Sequence, residues 1–188
     1  MRVIAGSARG VPLRSPGAGL RPTTDAIRET LFNSLQALIP EARFLDLYAG
    51  TGSVGIEALS RGAAQAVFVE RSAAGLKAIR LNLANTRLAE RGVVVPGDIP
   101  KVLERVCRDY GPFDVVFVDP PYGEDALPAV VAGLLQRTGL AAGGVLVVQH
   151  PVEVELPAAA VPYRQKRFGH TRLSFLQAAP AAAESDGG

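Results

Sequence analysis

The 188-residue sequence contains one cysteine, one methionine, two histidines and no tryptophan. The single cysteine, Cys107, excludes an internal disulfide framework and any cysteine-based metal cluster. Its position in a predicted helix indicates a packing role in the core. No apolar run reaches the roughly 18 residues that a membrane-spanning helix needs. The first ten residues, MRVIAGSARG, lack the apolar core of a secretion signal, so we expect a cytoplasmic protein with no membrane contact.

Charge is scarce overall, with a net value of +2, but it is unevenly distributed. Residues 1–28 carry five arginines and one aspartate (+4), and residues 161–175 carry four basic residues and no acid (+4). Residues 29–160 hold 11 basic and 15 acidic residues (−4), and the last two acids give −2. Two basic ends are typical of a protein that grips a polyanion. Ordinary solvated arginines explain the same pattern equally well at this point.

The stretch from Phe44 to Leu59, FLDLYAGTGSVGIEAL, predicts a buried strand, a glycine turn and a helix. This is the first unit of a doubly wound sheet, in which ligands bind beyond the carboxyl ends of the strands. The spacing Gly50-x-Gly52-x-x-Gly55, with Glu70 about twenty residues on, fits the dinucleotide pattern of NAD enzymes. However, Asp46 stands inside the strand, where a carboxylate would repel a pyrophosphate. It suits a cationic amino-acid group, which favours S-adenosylmethionine (SAM).

The remaining patterns predict an α/β fold. Five strands alternate with helices, which indicates a mostly parallel sheet with right-handed crossovers. Residues 163–168 and 171–176 predict a hairpin that completes a seven-stranded sheet with an antiparallel edge. Residues 1–14 predict a small N-terminal β-hairpin. We expect one domain over residues 1–177, with a hairpin and connector at 1–20, a core at 21–177 and a disordered tail at 178–188.

The helix after residue 23 has two features that the structure can test. Thr24 or Asp25 can cap its start, and its apolar stripe (Ile27, Leu31, Leu35 and Leu38) runs until Pro40 ends it. By periodicity Arg28 and Glu29 belong to its solvated face.

Acidic residues follow several predicted strands. Glu70 ends the second strand, where an acid accepts hydrogen bonds from ribose hydroxyls in nucleoside-binding sheets. Asp98 follows the third strand, where it accepts from an adenine amino group or simply caps the next helix, while Ile99 can cover the adenine ring. Asp119 follows the fourth strand and begins Asp119-Pro120-Pro121-Tyr122.

The Asp119 segment is the most specific chemical signal. The prolines stiffen the chain, the Asp119 carboxylate and the Pro120 carbonyl are hydrogen-bond acceptors, and the Tyr122 ring can stack on a flat base. Two acceptors that grip an exocyclic amine aim its lone pair at a methyl donor. The base must be unpaired or flipped out to enter such a pocket.

These segments resemble the RsmD type of small-subunit ribosomal RNA guanine-N2 methyltransferase. The resemblance covers MRVIAGSARG, LRPTTDAIRETLFN, FLDLYAGTGSVGIEALSRGA, VFVDPPY and KRFGHTRLSF, from residue 1 to about residue 177. It implies a Rossmann-like class I methyltransferase fold, SAM as donor, and 16S rRNA as partner, free or in a partly or fully assembled subunit. The implied target contacts are Asp119, Pro120 and Tyr122. The implied cofactor contacts are Asp46, Tyr48, Gly50, Thr51, Gly52, Glu70, Asp98, Ile99, Arg21 and Thr23.

Three other functions remain open at this stage. A DNA adenine-N6 methyltransferase shares the Asp-Pro-Pro-Tyr segment, but the short chain leaves no room for a separate DNA-recognition domain. A nucleic-acid-binding module with a vestigial SAM pocket and an NAD oxidoreductase are the others. The two histidines, His150 and His170, have no cysteine or acid cluster near them, so we expect no metal. A monomer is the simplest expectation for this size.

Overall fold

The sheet and its helices alternate along the chain, as a doubly wound fold requires. The structure, a computed structural model, describes residues 1–15, 23–121, 126–136 and 139–177. In this part of the chain the helices are α1 (Asp25–Ser34), α2 (Ser53–Ser60), α3 (Ala73–Thr86), α4 (Ile99–Tyr110) and α5 (Leu127–Gln136), with a short 3-10 turn at Ala89–Arg91. The strands are β1 (Arg43–Leu47), β2 (Gln65–Glu70), β3 (Gly92–Pro96), β4 (Phe113–Val118), β5 (Leu140–Pro151), β6 (Arg164–Phe168) and β7 (Thr171–Gln177).

The seven strands form one sheet in the order β3-β2-β1-β4-β5-β7-β6. Strands β1 to β5 are parallel to one another, whereas β7 runs antiparallel to both β5 and β6. The predicted mostly parallel sheet with an antiparallel edge hairpin is therefore confirmed. From β1 the following strands are added on one side of the sheet, and from β4 they are added on the other side. A doubly wound sheet opens its ligand crevice at this switch point between β1 and β4.

The register of the central strands brings four functional positions together. Four apolar residues lie side by side across neighbouring strands: Val69, Leu47, Val118 and Val148. Because parallel strands end at the same edge of a sheet, the residues that follow them form a row at the carboxyl edge. This carboxyl-edge row consists of Glu70, Tyr48, Asp119 and Gln149.

Two apolar clusters cover the two faces of the sheet. The first joins α1, α2, α3 and the N-terminal residues to one face, and the second joins α4 and α5 to the other. Cys107 is buried in the second cluster, which confirms its predicted packing role. The described residues include no helix long and apolar enough to cross a membrane.

Helix α1 begins as predicted but ends earlier. The Thr24 side chain caps it by accepting a 3.4 Å hydrogen bond from the Ile27 amide. The helix ends at Ser34, whose hydroxyl donates to the Thr30 carbonyl at 2.7 Å and competes for the backbone acceptor there. Residues 36–38 form a turn, so Leu38 is exposed, against its predicted place in the apolar stripe, and Ile39 is buried instead.

The expectation that Arg28 is solvated is wrong. Its side chain is fully buried and its guanidinium lies 2.7 Å from Asp25 and 3.7 Å from the buried carboxylate of Glu57 on α2. It also donates to the Arg2 carbonyl at 2.8 Å. Glu29, its neighbour, is exposed as predicted. Helix periodicity placed Arg28 outward, but the N-terminal residues cover that side of α1.

The N-terminal segment is held mainly by α2 and closes on itself through one antiparallel bridge, between Arg2 and Pro12. The Glu57 carboxylate accepts hydrogen bonds from the Ile4 and Ala5 amides at 2.8 and 2.9 Å. This contact accounts for how so small a hairpin is ordered, because an isolated two-stranded hairpin is marginal in water.

Gly55 lets α2 pack closely on β2, and we expect Gly55→Ala to destabilise the protein. A Cβ at this position would lie 2.3 Å from Cε1 of Phe68, a fully buried ring of β2. Overpacking of this kind costs about 1–3 kcal/mol, more than the helix propensity gained from alanine. Urea unfolding measures the change in the free energy of unfolding.

Gly133→Ala is the matched control for Gly55→Ala. Gly133 also lies inside a helix, α5, but its added Cβ would meet only Leu103, at 3.8 Å. We expect this variant to gain about 0.5–1 kcal/mol from helix propensity. Equal effects of the two substitutions would refute the contact between Gly55 and Phe68 as the cause.

Candidate active site

A cavity of about 440 Å³ opens at the carboxyl edge of the sheet. Its lining includes all four members of the carboxyl-edge row, and it reaches from the glycine turn after β1 to the start of β7. Eight of the residues predicted for the site line it: Thr23, Tyr48, Gly50, Thr51, Glu70, Ile99, Asp119 and Pro120. Residues predicted for the cofactor and residues predicted for the target base therefore border one continuous space.

The glycine turn is tied to the end of β2 by Glu70. One oxygen of its carboxylate accepts a 2.8 Å hydrogen bond from the Gly50 amide, and the other accepts a 2.7 Å bond from the Ser72 amide. Gly50 and Gly52 both have positive φ, 54° and 75°, a conformation that strongly favours glycine. Glu70 thus shapes the turn, and the second lone pair of each oxygen can still accept from a ligand hydroxyl.

Asp46 lies beneath the turn and not in the cavity wall. Its carboxylate accepts a 2.9 Å hydrogen bond from the Gly55 amide of α2. Burial raises the pKa of Asp46 well above its ordinary value of 3.8, and the nearby charges of Asp119 and Glu70 raise it further, while the Gly55 hydrogen bond acts in the opposite direction. Three carboxylates so close together favour a cationic ligand, which offsets their mutual repulsion.

Asp119 is positioned by a residue 96 positions earlier in the chain. The Thr23 hydroxyl, just before α1, donates a 3.1 Å hydrogen bond to Oδ2 of Asp119. The Asp119 amide donates to the Leu47 carbonyl of β1 at 3.4 Å. Pro120 and Pro121 continue the cavity wall beyond it. The arrangement presents a carboxylate and a stiff backbone to any group that enters the cavity.

The other predicted site residues lie outside the cavity lining or outside the described residues. Gly52 and Asp98 are outside the cavity lining, and Asp98 lies at the start of α4 without a capping hydrogen bond, 3.3 Å from Lys101. Ile99, the next residue, is fully buried against the cavity. Arg21 and Tyr122 lie outside the described residues.

The end of β5 supplies site residues that sequence reasoning missed. Gln149, His150 and Pro151 line the cavity together with Thr171 of β7. The available signal was positional: these residues follow an apolar strand at the same edge as Asp119. Nothing in their residue types marked them, because the pattern around them is that of an ordinary buried strand.

His150 holds the end of β5 rigid. One ring nitrogen, Nδ1, lies 2.9 Å from the Pro151 carbonyl and therefore carries the proton, while Nε2 accepts from the Ser174 hydroxyl at 2.9 Å. Ser174 in turn accepts from the Gln165 amide at 2.9 Å. Burial lowers the pKa of His150, so it is neutral at pH 7. Among the residues that the structure describes, no group of three possible metal ligands occurs.

For the methyl transfer that the family resemblance implies, we expect Thr23→Val to lower the rate through Asp119. The variant keeps the shape of the side chain but removes a hydrogen bond to a charged acceptor, which lowers kcat about ten- to a hundredfold. The affinity for SAM should stay unchanged, and calorimetry measures it separately. Thr30→Val, on α1 outside the cavity lining, is the matched control. A loss of SAM affinity with normal kcat would instead place Thr23 in the cofactor site.

Comparisons with known proteins agree with this geometry. The model of a family described as conserved hypothetical protein 95 matches residues 1–177. The chain is 36% identical over 190 residues to ribosomal RNA small subunit methyltransferase D of Escherichia coli K12, covering 99% of this chain and 93% of that protein.

Two solved structures are similar over nearly the whole chain. The structure of yhhF from Escherichia coli has a TM-score of 0.82 at 36% identity and covers 96% of this chain and 98% of its own. A hypothetical protein of Thermus thermophilus has a TM-score of 0.82 at 34% identity, with 94% and 98% covered. By its fold, its glycine turn and its match over residues 1–177, the chain belongs to the RsmD family of class I methyltransferases.

Proposed function

We propose that this protein transfers the methyl group of SAM to the exocyclic N2 amine of a guanine in small-subunit (16S) ribosomal RNA. The observation that carries the proposal is the position of Asp119 at the end of the central strand β4. There it shares one cavity with the glycine turn. The similarity to an rRNA methyltransferase supports RNA as the substrate class.

The half of the cavity formed by β1 and β2 suits SAM. The carboxylates of Asp46, Glu70 and Asp119 favour a ligand with a sulfonium and an ammonium group. We assign the ribose to Glu70, the adenine to Ile99 and Asp98, and the amino-acid part to the turn. The turn residues in this assignment are Tyr48, Gly50, Thr51 and Gly52. Arg21, predicted for the same part, lies outside the described residues, and Thr23 acts in this proposal through Asp119. When bound, SAM supplies a methyl group attached to a sulfonium sulfur, which becomes a neutral thioether once the methyl group has been transferred.

The target half of the cavity holds the amine. The Asp119 carboxylate and the Pro120 carbonyl accept hydrogen bonds from its two N–H groups, and Tyr122 stacks on the base. These contacts hold the nitrogen lone pair toward the methyl carbon. The new N–C bond leaves a positive charge on nitrogen, which the Asp119 carboxylate stabilises. The nitrogen then loses one proton to Asp119 or to water.

The basic ends of the chain provide the surface for RNA phosphates. Arg164, Lys166 and Arg167 are exposed along the edge strand β6, and Arg2, Arg9 and Arg14 are exposed on the N-terminal segment. Binding through such contacts weakens steeply with salt. We further propose that residues 1–177 act as one domain, as a monomer in the cytoplasm, on free rRNA or on an assembling subunit.

The experiment that tests the proposal is transfer of labelled methyl from SAM by the purified protein. The acceptors are deproteinised 16S rRNA, small subunits that lack the modification, and duplex DNA. Label on guanine N2 in RNA supports the proposal, and digestion followed by mass spectrometry identifies the position. Label on adenine N6 in DNA alone would replace it with the DNA methyltransferase alternative. SAM binding without transfer to any acceptor would favour a binding module.

We expect the affinity for SAM to rise with pH because of Asp46. The raised pKa means that the folded protein without ligand holds a proton on Asp46 above the ordinary value of 3.8. A bound cation favours the carboxylate, so binding releases that proton, and affinity increases as the pH rises through the raised pKa. Calorimetry at a series of pH values above the ordinary value of 3.8 and below the titration of an α-amino group, in two buffers of different ionisation enthalpy, measures both effects.

Asp46→Asn is the companion variant for this pH dependence. It keeps an acceptor for the Gly55 amide but has no carboxyl group to titrate. Its SAM affinity should be flat over the same range, with no proton released. A slope that persists in the variant would assign the pH dependence to another group.

A further inference from the structure

The side-chain oxygen of Gln149 is a buried hydrogen-bond acceptor without a donor. Gln149 lines the cavity, and its Oε1 atom is shielded from solvent, yet no residue that the structure describes donates to it. An unsatisfied buried carbonyl oxygen costs about 1–3 kcal/mol. Buried polar groups in native proteins are almost always paired, and Gln149 borders the cavity, so a ligand there can supply the missing donor once the terminal amide turns toward it.

The position of Gln149 shows which part of the cavity needs that donor. In the carboxyl-edge row, Glu70 of β2 and Gln149 of β5 lie on opposite sides of Asp119. The residues assigned to SAM come from β1, β2 and the start of α4. Gln149 is therefore beside Asp119 on the side away from the cofactor, where the target base must enter.

In the described part of the chain, no group on β5 or β7 donates to this oxygen. Both ring nitrogens of His150 are used, by the Pro151 carbonyl and by Ser174, and the Ser174 hydroxyl is shared with Gln165. This network also fixes the backbone that carries Gln149.

We propose that Gln149 is the residue that selects guanine, by accepting a hydrogen bond from its N1–H group. This inference rests on the proposed function, in which Asp119 and Pro120 hold the N2 amine. In guanine the N1–H donor is next to that amine, so adjacent acceptors from β4 and β5 match adjacent donors on the base. In adenine the nitrogen next to the amine has no hydrogen, and Gln149 would face another acceptor.

The test compares guanine with 2-aminopurine at the methylated position of the RNA. 2-Aminopurine keeps the 2-amine but has no N1–H. The modified nucleotide is introduced by ligation into 16S rRNA and supplied in whichever form, free or in subunits, the wild-type protein methylates. Because the intrinsic difference between the two bases is the same for every variant, the change in their kcat/KM ratio measures the role of the side chain.

Gln149→Met removes the acceptor at similar side-chain length. We expect kcat/KM for guanine to fall about ten- to a hundredfold, with a much smaller change for 2-aminopurine, so that the preference for guanine collapses. Gln149→Glu retains an acceptor oxygen and should preserve the preference. The affinity for SAM should not change. Gln136→Met, at the exposed end of α5, is the matched control and should behave as wild type.

Three results would overturn the inference. An equal fall for both bases would mean that Gln149 has only a structural role. A weaker affinity for SAM with an unchanged base preference would mean that its oxygen serves the cofactor. Wild-type protein that methylates no guanine would refute the proposed function itself, a result that the wild-type assay reveals before any variant is made.

Discussion

Asp119→Ala should abolish most of the methyl transfer while leaving the fold intact. The side chain accepts from the Thr23 hydroxyl and presents the carboxylate that holds the target amine. Removing one preorganised electrostatic group from an active site lowers kcat about 10²–10³-fold, and the loss of amine orientation adds to this. Single-turnover methyl transfer to RNA at saturating SAM measures the effect on the chemical step.

Asp119→Asn refines the same prediction. It preserves the size of the side chain and one acceptor oxygen, but it replaces the other with a donor that opposes the amine. We expect a loss nearly as large as that of the alanine variant. Asp109→Asn, on the exposed surface of α4, is the control for a lost carboxylate elsewhere. Activity of either Asp119 variant within about twofold of wild type would contradict the role we assign.

Arg28→Met should cause a large loss of stability. The guanidinium is fully buried and lies between Asp25, Glu57 and the Arg2 carbonyl. Breaking a buried pair by removing one partner costs about 3–5 kcal/mol when the remaining charge is left unpaired. Glu57 keeps an ion pair with Arg61 at 2.7 Å, so we expect a loss near the lower end of that range. For a chain of this size such a loss lowers the Tm by roughly 6–12 °C. Thermal unfolding followed by circular dichroism measures it.

A double-mutant cycle separates the pair from its surroundings. Glu57→Gln keeps the side-chain shape and an oxygen that meets the Ile4 or Ala5 amide, but it removes the charge opposite Arg28. The double variant should lose less stability than the sum of the two single variants. Arg80→Met, on the exposed face of α3, should change the free energy of unfolding by less than about 0.5 kcal/mol. Additive losses would mean that the two side chains do not stabilise each other.

The Arg28 pair also has a functional consequence. It joins α1, α2 and the N-terminal segment, and Thr23 and Thr24 in the cavity wall immediately precede α1. A weakened pair should therefore lower methyl transfer at temperatures where the protein is still folded. The buried pair of Arg28 and Glu57 connects the N-terminal segment to α1. Thr23, which donates to Asp119, immediately precedes this helix.

Local patterns in the sequence were sufficient for the fold class and for most of the residues that reach the cavity. The alternation of apolar strands with amphipathic helices predicts the doubly wound sheet, and the turn at Gly50 and the acids that end β2 and β4 mark its carboxyl edge. These features are legible because strand period, turn chemistry and strand ends depend on neighbours within a few residues. The family resemblance depends on the same short segments.

Helix periodicity was less reliable at α1. It correctly predicted the buried Ile27, but it placed Arg28 in solvent and Leu38 in the core. Of the two cap candidates, Thr24 and Asp25, the structure uses Thr24. The periodic pattern of one helix contains no information about what covers its other faces. The burial of Arg28 depends on the N-terminal segment and on Glu57, which is far away in the chain.

The sequence by itself therefore determined the element types, the turn and the identity of the carboxylate at the end of β4. Only the tertiary structure decided how these parts act on one another. It brought Thr23 to Asp119 across 96 positions, placed Asp46 beneath the turn with its pKa raised, and left the Gln149 oxygen buried beside Asp119. Such relations depend on sheet register and on desolvation, which arise from contacts between segments distant in the chain and leave no local pattern.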